Sequence, residues 1–182
     1  MSLTLFRCLF AIILLGLHTP TFAACEPIGT PTLALSVTAA QVSVVDRTLT
    51  VQVYDNGCVL LHRPAFYRAA GDFRIALTAT ELTGLRQVIT PERVRQIDRA
   101  ALTASANARS SAARVEVFQV QDADLYVLEA GVGADAIKQS AFGVLVGAEV
   151  QPDNADLAAM SAMVQALLAL ETRVDAVKVS AP

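Results

Sequence analysis

The amino-acid sequence predicts an α+β fold in which an antiparallel sheet built from hairpins is covered by two or three helices. Three observations lead to this prediction. Apolar residues alternate with polar ones in several short runs, as in half-buried strands. Turn residues separate these runs, and helix-capping motifs precede the stretches of helical periodicity. No internal repeat divides the chain, so a mature chain of about 158 residues predicts one domain with one core.

Residues 1–23 are predicted to be a secretory signal peptide and residues 24–182 a single exported α+β domain. Arg7 provides a basic start, an apolar run follows from Leu9 to Leu17, and small residues end the segment at Ala23. That run is shorter than the roughly 20 residues of a membrane-spanning helix, and the later apolar stretch Leu157–Leu170 is also too short. We therefore expect a periplasmic or secreted protein without a transmembrane segment in its mature chain.

Cleavage would remove Cys8 and leave two cysteines. In an oxidising compartment Cys25 and Cys58 would form one disulfide bond, and closing this loop would stabilise the fold by about 3 to 4 kcal/mol. The alternative is an outer-membrane lipoprotein, because Phe22-Ala23-Ala24-Cys25 is similar to a lipobox, in which the cysteine carries the lipid. Lipidation of Cys25 would leave Cys58 as a free thiol, so the two interpretations exclude each other.

Two alternating patterns predict strands in the N-terminal half. They consist of Leu33, Leu35 and Val37, and of Leu49, Val51 and Val53. Asp55-Asn56-Gly57 follows the second run, and Asn-Gly favours a type I′ hairpin turn of two residues. Cys58 to Arg63 supplies the returning strand, which Pro64 ends. Gly71-Asp72 then turns the chain into a short strand from Phe73 to Leu77.

Two motifs predict consecutive helices. Thr78-Ala79-Thr80-Glu81 is a capping box, in which the hydroxyl and the carboxylate each accept from a helix N–H group. Thr90-Pro91-Glu92 combines a cap with proline at the first helical position. The apolar faces that follow are predicted to be buried: Leu82, Leu85, Val88 and Ile89 in the first helix, and Val94, Ile97 and Ala101 in the second.

The C-terminal half predicts strands followed by one long helix. Residues 103–113 have the composition of a loop, and Arg114–Val120 with Leu125–Glu129 predict a second hairpin around Asp122-Ala123-Asp124. Gly143–Val150 predicts one more strand, and Asp153 is expected to cap the last helix. That helix would bury one apolar face on the sheet: Leu157, Met160, Val164, Leu167 and Leu168.

The central segment resembles known exported proteins in its short motifs. These are Tyr54-Asp55-Asn56-Gly57-Cys58-Val59, His62-Arg63-Pro64, Gly71-Asp72 and Thr78-Ala79-Thr80-Glu81-Leu82. Together they look like small exported proteins of Gram-negative bacteria that have no assigned activity, and the similarity covers about residues 49–89. The resemblance implies an envelope protein and implies no catalytic residues.

Charge excludes one class of partner and suggests a candidate surface. Removing Arg7 with the signal peptide leaves 13 basic and 17 acidic side chains, a net charge of −4, which does not favour nucleic acid. Membrane attachment is expected only if Cys25 is lipidated. Arginines nevertheless cluster between residues 62 and 99, and Arg63, Arg68 and Arg74 are the candidate surface for an anionic ligand, mixed with Phe66 and Tyr67. The alternative is that these arginines pair locally with carboxylates.

Residues for catalysis and for metal binding are sparse. His62 is the sole histidine of the mature chain, and Arg63 beside it is expected to disfavour the imidazolium form, so we interpret His62 as structural. We expect no zinc site, no other metal and no cofactor. Asp122 with Asp124, and Asp153 with Asn154 and Asp156, are interpreted as turn or cap residues and not as calcium ligands.

Gly131-Val132-Gly133-Ala134-Asp135-Ala136 has dinucleotide-like glycine spacing but lacks a complete βαβ unit, so we interpret it as a bend that ends a hairpin strand.

These observations predict an exported envelope protein that acts as a non-enzymatic binding or interaction module, with an envelope protein or a small ligand as its partner. The outer-membrane lipoprotein is the first alternative. A hydrolase that uses paired carboxylates is an alternative of another class. It requires two carboxylates that face each other in a concave pocket.

Overall fold

The computed structural model describes residues 25–102 and 123–179, which form an α+β fold with a seven-stranded antiparallel sheet. The strands are β1 (Leu33–Thr38), β2 (Thr48–Val53), β3 (Cys58–Arg63), β4 (Gly71–Ala76), β5 (Leu125–Ala130), β6 (Ile137–Phe142) and β7 (Val177–Lys178). The helices are α1 (Ala79–Val88), α2 (Pro91–Gln96), α3 (Val144–Val150) and α4 (Ala155–Leu168). The predicted fold class is confirmed; the described residues contain these four helices in place of two or three, and residues 99–102 are also helical.

The strands lie in the order β6-β5-β1-β2-β3-β4-β7, and each neighbouring pair is antiparallel. Most neighbours are also consecutive in the chain, as expected for a sheet of hairpins. The exceptions are β1 beside β5 and β4 beside β7. The predicted signal peptide, the predicted loop 103–113 and the predicted strand Arg114–Val120 lie outside the described residues.

One face of the sheet carries the hydrophobic core. Leu35, Val51, Leu61 and Phe73 lie opposite one another in adjacent strands, and all are buried. The four helices pack on this side and join the same apolar cluster. Alternate strand residues point the other way, to a face that no described helix covers and that we call the outer face.

The strand ends define two ends of the sheet. At the loop end, β1, β3 and β6 finish while β2, β4 and β5 begin, so the β1–β2 loop (residues 39–47) and the β3–β4 loop (residues 64–70) both lie there. At the cysteine end, β3 begins at Cys58, next to the turn from β2. The loops at the loop end are longer, and they contain the candidate residues discussed below.

The turn from β2 to β3 contains three residues and not two. Val53 pairs with Val59, and the Tyr54 N–H donates to the Cys58 carbonyl at 2.8 Å. Asp55, Asn56 and Gly57 therefore form the loop, in which Gly57 has a φ of 78°. The hairpin predicted from Asn-Gly is confirmed, but its type I′ form is wrong because Gly57 occupies the third loop position, where a left-handed residue closes a three-residue turn.

Both predicted helix starts are confirmed. The Glu81 N–H donates to Thr78 Oγ1 at 3.3 Å, and the Thr78 N–H donates to Glu81 Oε2 at 2.7 Å. The Arg93 N–H donates to the Thr90 hydroxyl at 3.1 Å, with Pro91 at the first helical position. Leu82, Ile89, Val94 and Ile97 are buried as expected.

The strand predicted at Gly143–Val150 is wrong, because residues 144–150 form helix α3. Gly143 has a φ of 58°, which ends β6, and its carbonyl accepts from the Gly147 N–H at 2.7 Å to begin the helix. The adjacent strand β6 was not predicted. Its alternation is weak, since its core-facing positions include the polar Gln139 and the small Ala141.

One further prediction in this half is corrected, and another lies partly outside the described residues. Strand β5 pairs along its whole length with β1 on one side and β6 on the other, and the Arg114–Val120 half of the predicted hairpin is not among the described residues. The cap of α4 is Asn154 and not Asp153, because Asn154 Oδ1 accepts from the Leu157 N–H at 3.0 Å. The predicted apolar face is confirmed: Leu157, Met160, Val164 and Leu167 are buried, and Leu168 is half-buried.

Candidate functional site

The three candidate arginines do not form one surface. Arg63 lies on the core side of β3, in the same alternation as Leu61, whereas Arg74 lies on the outer face of β4. Arg74 forms an ion pair with Glu26, and Arg68 is exposed in the β3–β4 loop. The sheet therefore separates Arg63 from Arg74, and the predicted anionic-ligand surface is not assembled.

The Arg63 side chain packs at the edge of the hydrophobic core. Its guanidinium carbon lies 4.3 Å from the centre of the Phe73 ring, and its Nη2 donates to the Glu171 carbonyl. Its Nε lies 3.3 Å from Glu171 Oε1, within ion-pair distance but outside hydrogen-bond geometry. The Arg63 side chain is only 11% exposed, which fits local pairing and leaves little of it for a ligand.

Of the two aromatic side chains near Arg63, Tyr67 packs against the hydrophobic core and Phe66 is exposed. The Phe66 and Tyr67 rings have centroids 5.1 Å apart. Tyr67 is half-buried, and this burial, followed by the Glu171 carboxylate, raises the pKa of its hydroxyl. Phe66 instead is 46% exposed at the loop end.

His62 lies on the outer face between two carboxylates. Its Nδ1 is 2.6 Å from Asp72 Oδ1, and its Nε2 is 2.9 Å from Asp46 Oδ1. Asp72 occupies the position opposite His62 on β4, and Asp46 belongs to the β1–β2 loop. These three residues, which we call the histidine cluster, join a loop to the sheet at its loop end.

The carboxylates favour the imidazolium form of His62. Hydrogen bonds to Asp46 and then Asp72 raise the pKa of His62 above its ordinary value, against a smaller opposing effect of burial. The sequence-based expectation that Arg63 disfavours the charged form is wrong, because successive strand residues point to opposite faces. Arg63 therefore faces away from the ring.

Sequence reasoning missed the histidine cluster for two reasons. Asp72 could have been placed opposite His62 only with the β3–β4 register, and the predicted strand began after Asp72, at Phe73. Asp46 is in a loop, whose path no periodicity specifies. The sequence did contain a signal. His62 comes before the turn between β3 and β4 and Asp72 comes after it, so the two side chains can meet on one face of this hairpin.

The cysteine pair lies at the other end of the sheet. Cys25 Sγ and Cys58 Sγ are 2.08 Å apart, a bonding distance, and the two residues are separated by 33 positions. Cys58 is fully buried. The bond attaches the segment before β1 to the first residue of β3. This pairing is compatible with an oxidising location outside the cytoplasm.

The glycine-containing segment links β5 to β6 as a hairpin connection. Gly131 has a φ of 109°, and residues 133–135 form one turn of 3₁₀ helix before β6 begins at Ile137. The predicted bend is therefore confirmed. A depression of about 190 Å³ lies beside it, with Glu129 as its one charged lining residue, and Lys138 pairs with that carboxylate at 2.5 Å.

Of the acidic residues considered as calcium ligands, Asp124 and Asp156 accept hydrogen bonds from backbone N–H groups of distant segments, and Asp153 is not the cap of α4. Asp124 Oδ1 accepts from the Ala40 N–H at 3.3 Å, and Asp156 Oδ1 accepts from the Asp98 N–H at 3.1 Å. Asp122 lies outside the described residues. Within residues 25–102 and 123–179, no group of three His, Cys, Asp or Glu side chains is arranged to hold a metal ion.

The paired-carboxylate hydrolase requires two carboxylates that face each other in a concave pocket. Among the described residues, Asp46 and Asp72 share His62, which lies between them, and their side chains are 45% and 69% exposed. Each ring nitrogen of His62 already faces a carboxylate. The cluster is an exposed ion-pair network and not a concave pocket.

Four exposed large apolar side chains lie on segments at the loop end. Val44 and Val45 in the β1–β2 loop are 42% and 105% exposed, and Phe142 at the end of β6 is 62% exposed. Together with Phe66 they form what we call the apolar end. Exposed apolar side chains on neighbouring segments are typical of contact sites when they form a patch on an otherwise well-packed domain.

Comparison with protein-family models and with curated proteins finds no match for this chain. None of the helices in the described part of the chain has the length and apolar character to cross a membrane.

Proposed function

We propose that this chain is an exported, non-enzymatic interaction module of the bacterial envelope, periplasmic or secreted, that binds another envelope protein through its apolar end. The signal-like N-terminus and the resemblance over residues 49–89 support export. The bonding distance between Cys25 and Cys58 supports a disulfide-linked soluble form over lipidation of Cys25.

The exposed apolar end is the observation that carries the binding part of the proposal. Val44, Val45, Phe66 and Phe142 lie on three separate elements that converge on one end of the sheet. Burying such side chains against an apolar partner surface would be favourable by roughly 25 cal/mol per Å² of apolar area. The partner is therefore expected to present apolar side chains, and charged contacts are expected only at the rim.

Site-specific photo-crosslinking in the native host tests this surface. A photoreactive side chain at Val45 is expected to form one recurrent adduct with an envelope protein, whereas the same group at Val174 serves as the matched control. Val174 is equally exposed, at 103%, but lies between α4 and β7. Val45→Asp should abolish the adduct formed from position 142, and Val174→Asp should leave it intact. Equal adducts from positions 45 and 174 would refute the proposed surface.

Intact mass before and after thiol alkylation tests the proposed compartment. A mature chain that begins at Ala24 and has no reactive thiol is expected. A lipid adduct on Cys25 together with an alkylatable Cys58 would instead identify the outer-membrane lipoprotein.

A further inference from the structure

We propose that the histidine cluster is a proton-dependent clamp: protonated His62 holds the β1–β2 loop on the outer face, and loss of the proton releases the loop and its Val44–Val45 tip. This inference concerns regulation of the apolar end and rests on the proposed function for its biological role. The clamp itself is a property of the chain alone and is tested without a partner.

The geometry requires a charged ring. A carboxylate can only accept, and both ring nitrogens of His62 face carboxylate oxygens, at 2.6 Å and 2.9 Å. Only imidazolium donates from both nitrogens, since a neutral imidazole carries one N–H. Deprotonation therefore removes one of the two hydrogen bonds and places a lone pair against a negative oxygen.

Asp46 is the residue through which the clamp acts on the loop. Two hydrogen bonds close the base of this loop: Thr38 Oγ1 at the end of β1 is 3.1 Å from Thr48 Oγ1 at the start of β2, and the Ala39 N–H donates to the Arg47 carbonyl at 3.1 Å. The Ala40 N–H also donates to Asp124. The Asp46 contact is the one that reaches β3, and it lies one residue from Val45.

The basic side chains on the neighbouring strands do not supply the positive charge that the His62 proton places between Asp46 and Asp72. Thr50 lies opposite His62 on β2 and carries no charge. On β4, Arg74 shares the outer face but is paired with Glu26, and on β7 Lys178 lies 6.0 Å from the Phe73 ring on the core side. Arg63 also faces the core side.

Arg47 follows Asp46 in the loop, where it is exposed and its carbonyl pairs with Ala39. The nearest charges that act on the ring are therefore Asp46 and Asp72, and both raise the pKa of His62.

The sign of the pH effect follows from this direction. Because the folded-state pKa of His62 is raised above its unfolded value of about 6.5, the clamp is fully stabilising below about pH 6.5. Its contribution is lost as the pH rises through the folded-state pKa. The loop is held below about pH 6.5 and is released once the pH exceeds the raised folded-state pKa of His62.

An NMR titration of the purified protein tests the clamp. The ring signals of His62, assigned with a His62→Gln variant, should titrate above pH 6.5, and amide signals of residues 39–47 should shift with the same midpoint. Asp46→Asn should move the His62 midpoint toward 6.5 and uncouple the loop signals from it. Asp55→Asn is the matched control, because Asp55 is an exposed turn residue paired with Arg86, and it should leave both midpoints unchanged.

The clamp would be overturned by a His62 midpoint at or below 6.5, or by loop signals that do not follow it. Equal effects of Asp46→Asn and Asp55→Asn would do the same. The proposed interaction is tested by a different measurement, which is the formation of photo-crosslinked adducts from position 45 at fixed pH. A clamp that titrates as expected in a protein without adducts would retain this inference and reject the proposed function.

Discussion

Arg63 shows how one side chain can be both charged and structural. Its guanidinium covers the Phe73 ring at the sheet edge and donates to the carbonyl of Glu171 in the segment after α4. A planar guanidinium stacks on an aromatic face and still donates in its own plane, which an ammonium group cannot do equally well. Arg63 therefore links β3 and β4 to the C-terminal segment.

Replacing Arg63 with alanine is expected to lower the free energy of unfolding by about 2 kcal/mol. The change removes the cation–π contact and a charge-assisted hydrogen bond to a backbone carbonyl. Arg68→Ala is the matched control and should change stability by less than about 0.5 kcal/mol, because Arg68 is exposed. Urea unfolding of both variants measures these changes in stability. Similar decreases in the free energy of unfolding for the two variants would contradict the structural role of Arg63.

For single residues, the sequence predicted which side chains are important more successfully than it predicted which side chains surround them. Cys25 and Cys58 were paired correctly because two cysteines allow one bridge. His62 was interpreted as structural without its partners, which come from the opposite strand and from a loop. Arg63 and Arg74 were grouped because they are near in sequence, and strand alternation placed them on opposite faces.

Helix starts are the elements that the sequence specified most fully. The hydrogen bonds of Thr78 with Glu81, and of Thr90 with Arg93, span three residues, so local sequence contains all the partners. Thr78 also holds the pKa of the Glu81 carboxyl below its ordinary value through hydrogen bonds, first from its backbone N–H and then from its hydroxyl. Arg173 contacts the same carboxylate at 2.5 Å and so ties α1 to the C-terminal segment.

Thr78→Ala is expected to lower the free energy of unfolding by about 1 kcal/mol, because an N–H group at the start of α1 loses its acceptor. Thr83→Ala offers the matched control within the same helix. Thr83 is exposed, and alanine has the higher helix propensity there, so this variant should be neutral or slightly more stable. Thermal unfolding followed by circular dichroism compares them, and a cap without effect would show that tertiary contacts alone hold this helix end.

The region from residue 137 to 150 was the least predictable. Apolar residues in β6 are few, whereas α3 contains Val144, Val146 and Val150, which favour strands by propensity. The conformation of Gly143 decides the outcome, because its left-handed φ redirects the chain. Tertiary packing of Val144 then outweighs the local preference, as often occurs for short elements.

At the scale of the molecule, the sheet is covered by helices on one side and stabilised by a covalent bond at one end. The fold class was predictable from alternation and capping, whereas the strand order was not, because it depends on β5 pairing with β1 across a long separation in sequence. The disulfide bond closes a ring that contains β1 and β2. It therefore restricts the unfolded chain around the middle of the sheet.

Loss of this bond should lower the free energy of unfolding by about 3 to 4 kcal/mol, as estimated from its 33-residue separation. The double variant Cys25→Ser with Cys58→Ala removes it without leaving a lone thiol, and wild type unfolded with a reducing agent should show the same loss. Denaturant titration of the three samples is the measurement. An unchanged midpoint in the double variant would mean that the bond adds no stability.

The pairing of β1 with β5 also has a consequence for how the chain assembles. Strands β1 to β4 are neighbours both in sequence and in space, so they can form a meander as soon as residue 76 is available, and β5 with β6 can form a separate hairpin. The seam that joins Leu33 to Ala130 is where the two pieces meet. Contacts between distant parts of a chain are slow to form, so we expect the pairing of β1 with β5 to form after the local strand pairings on either side of it.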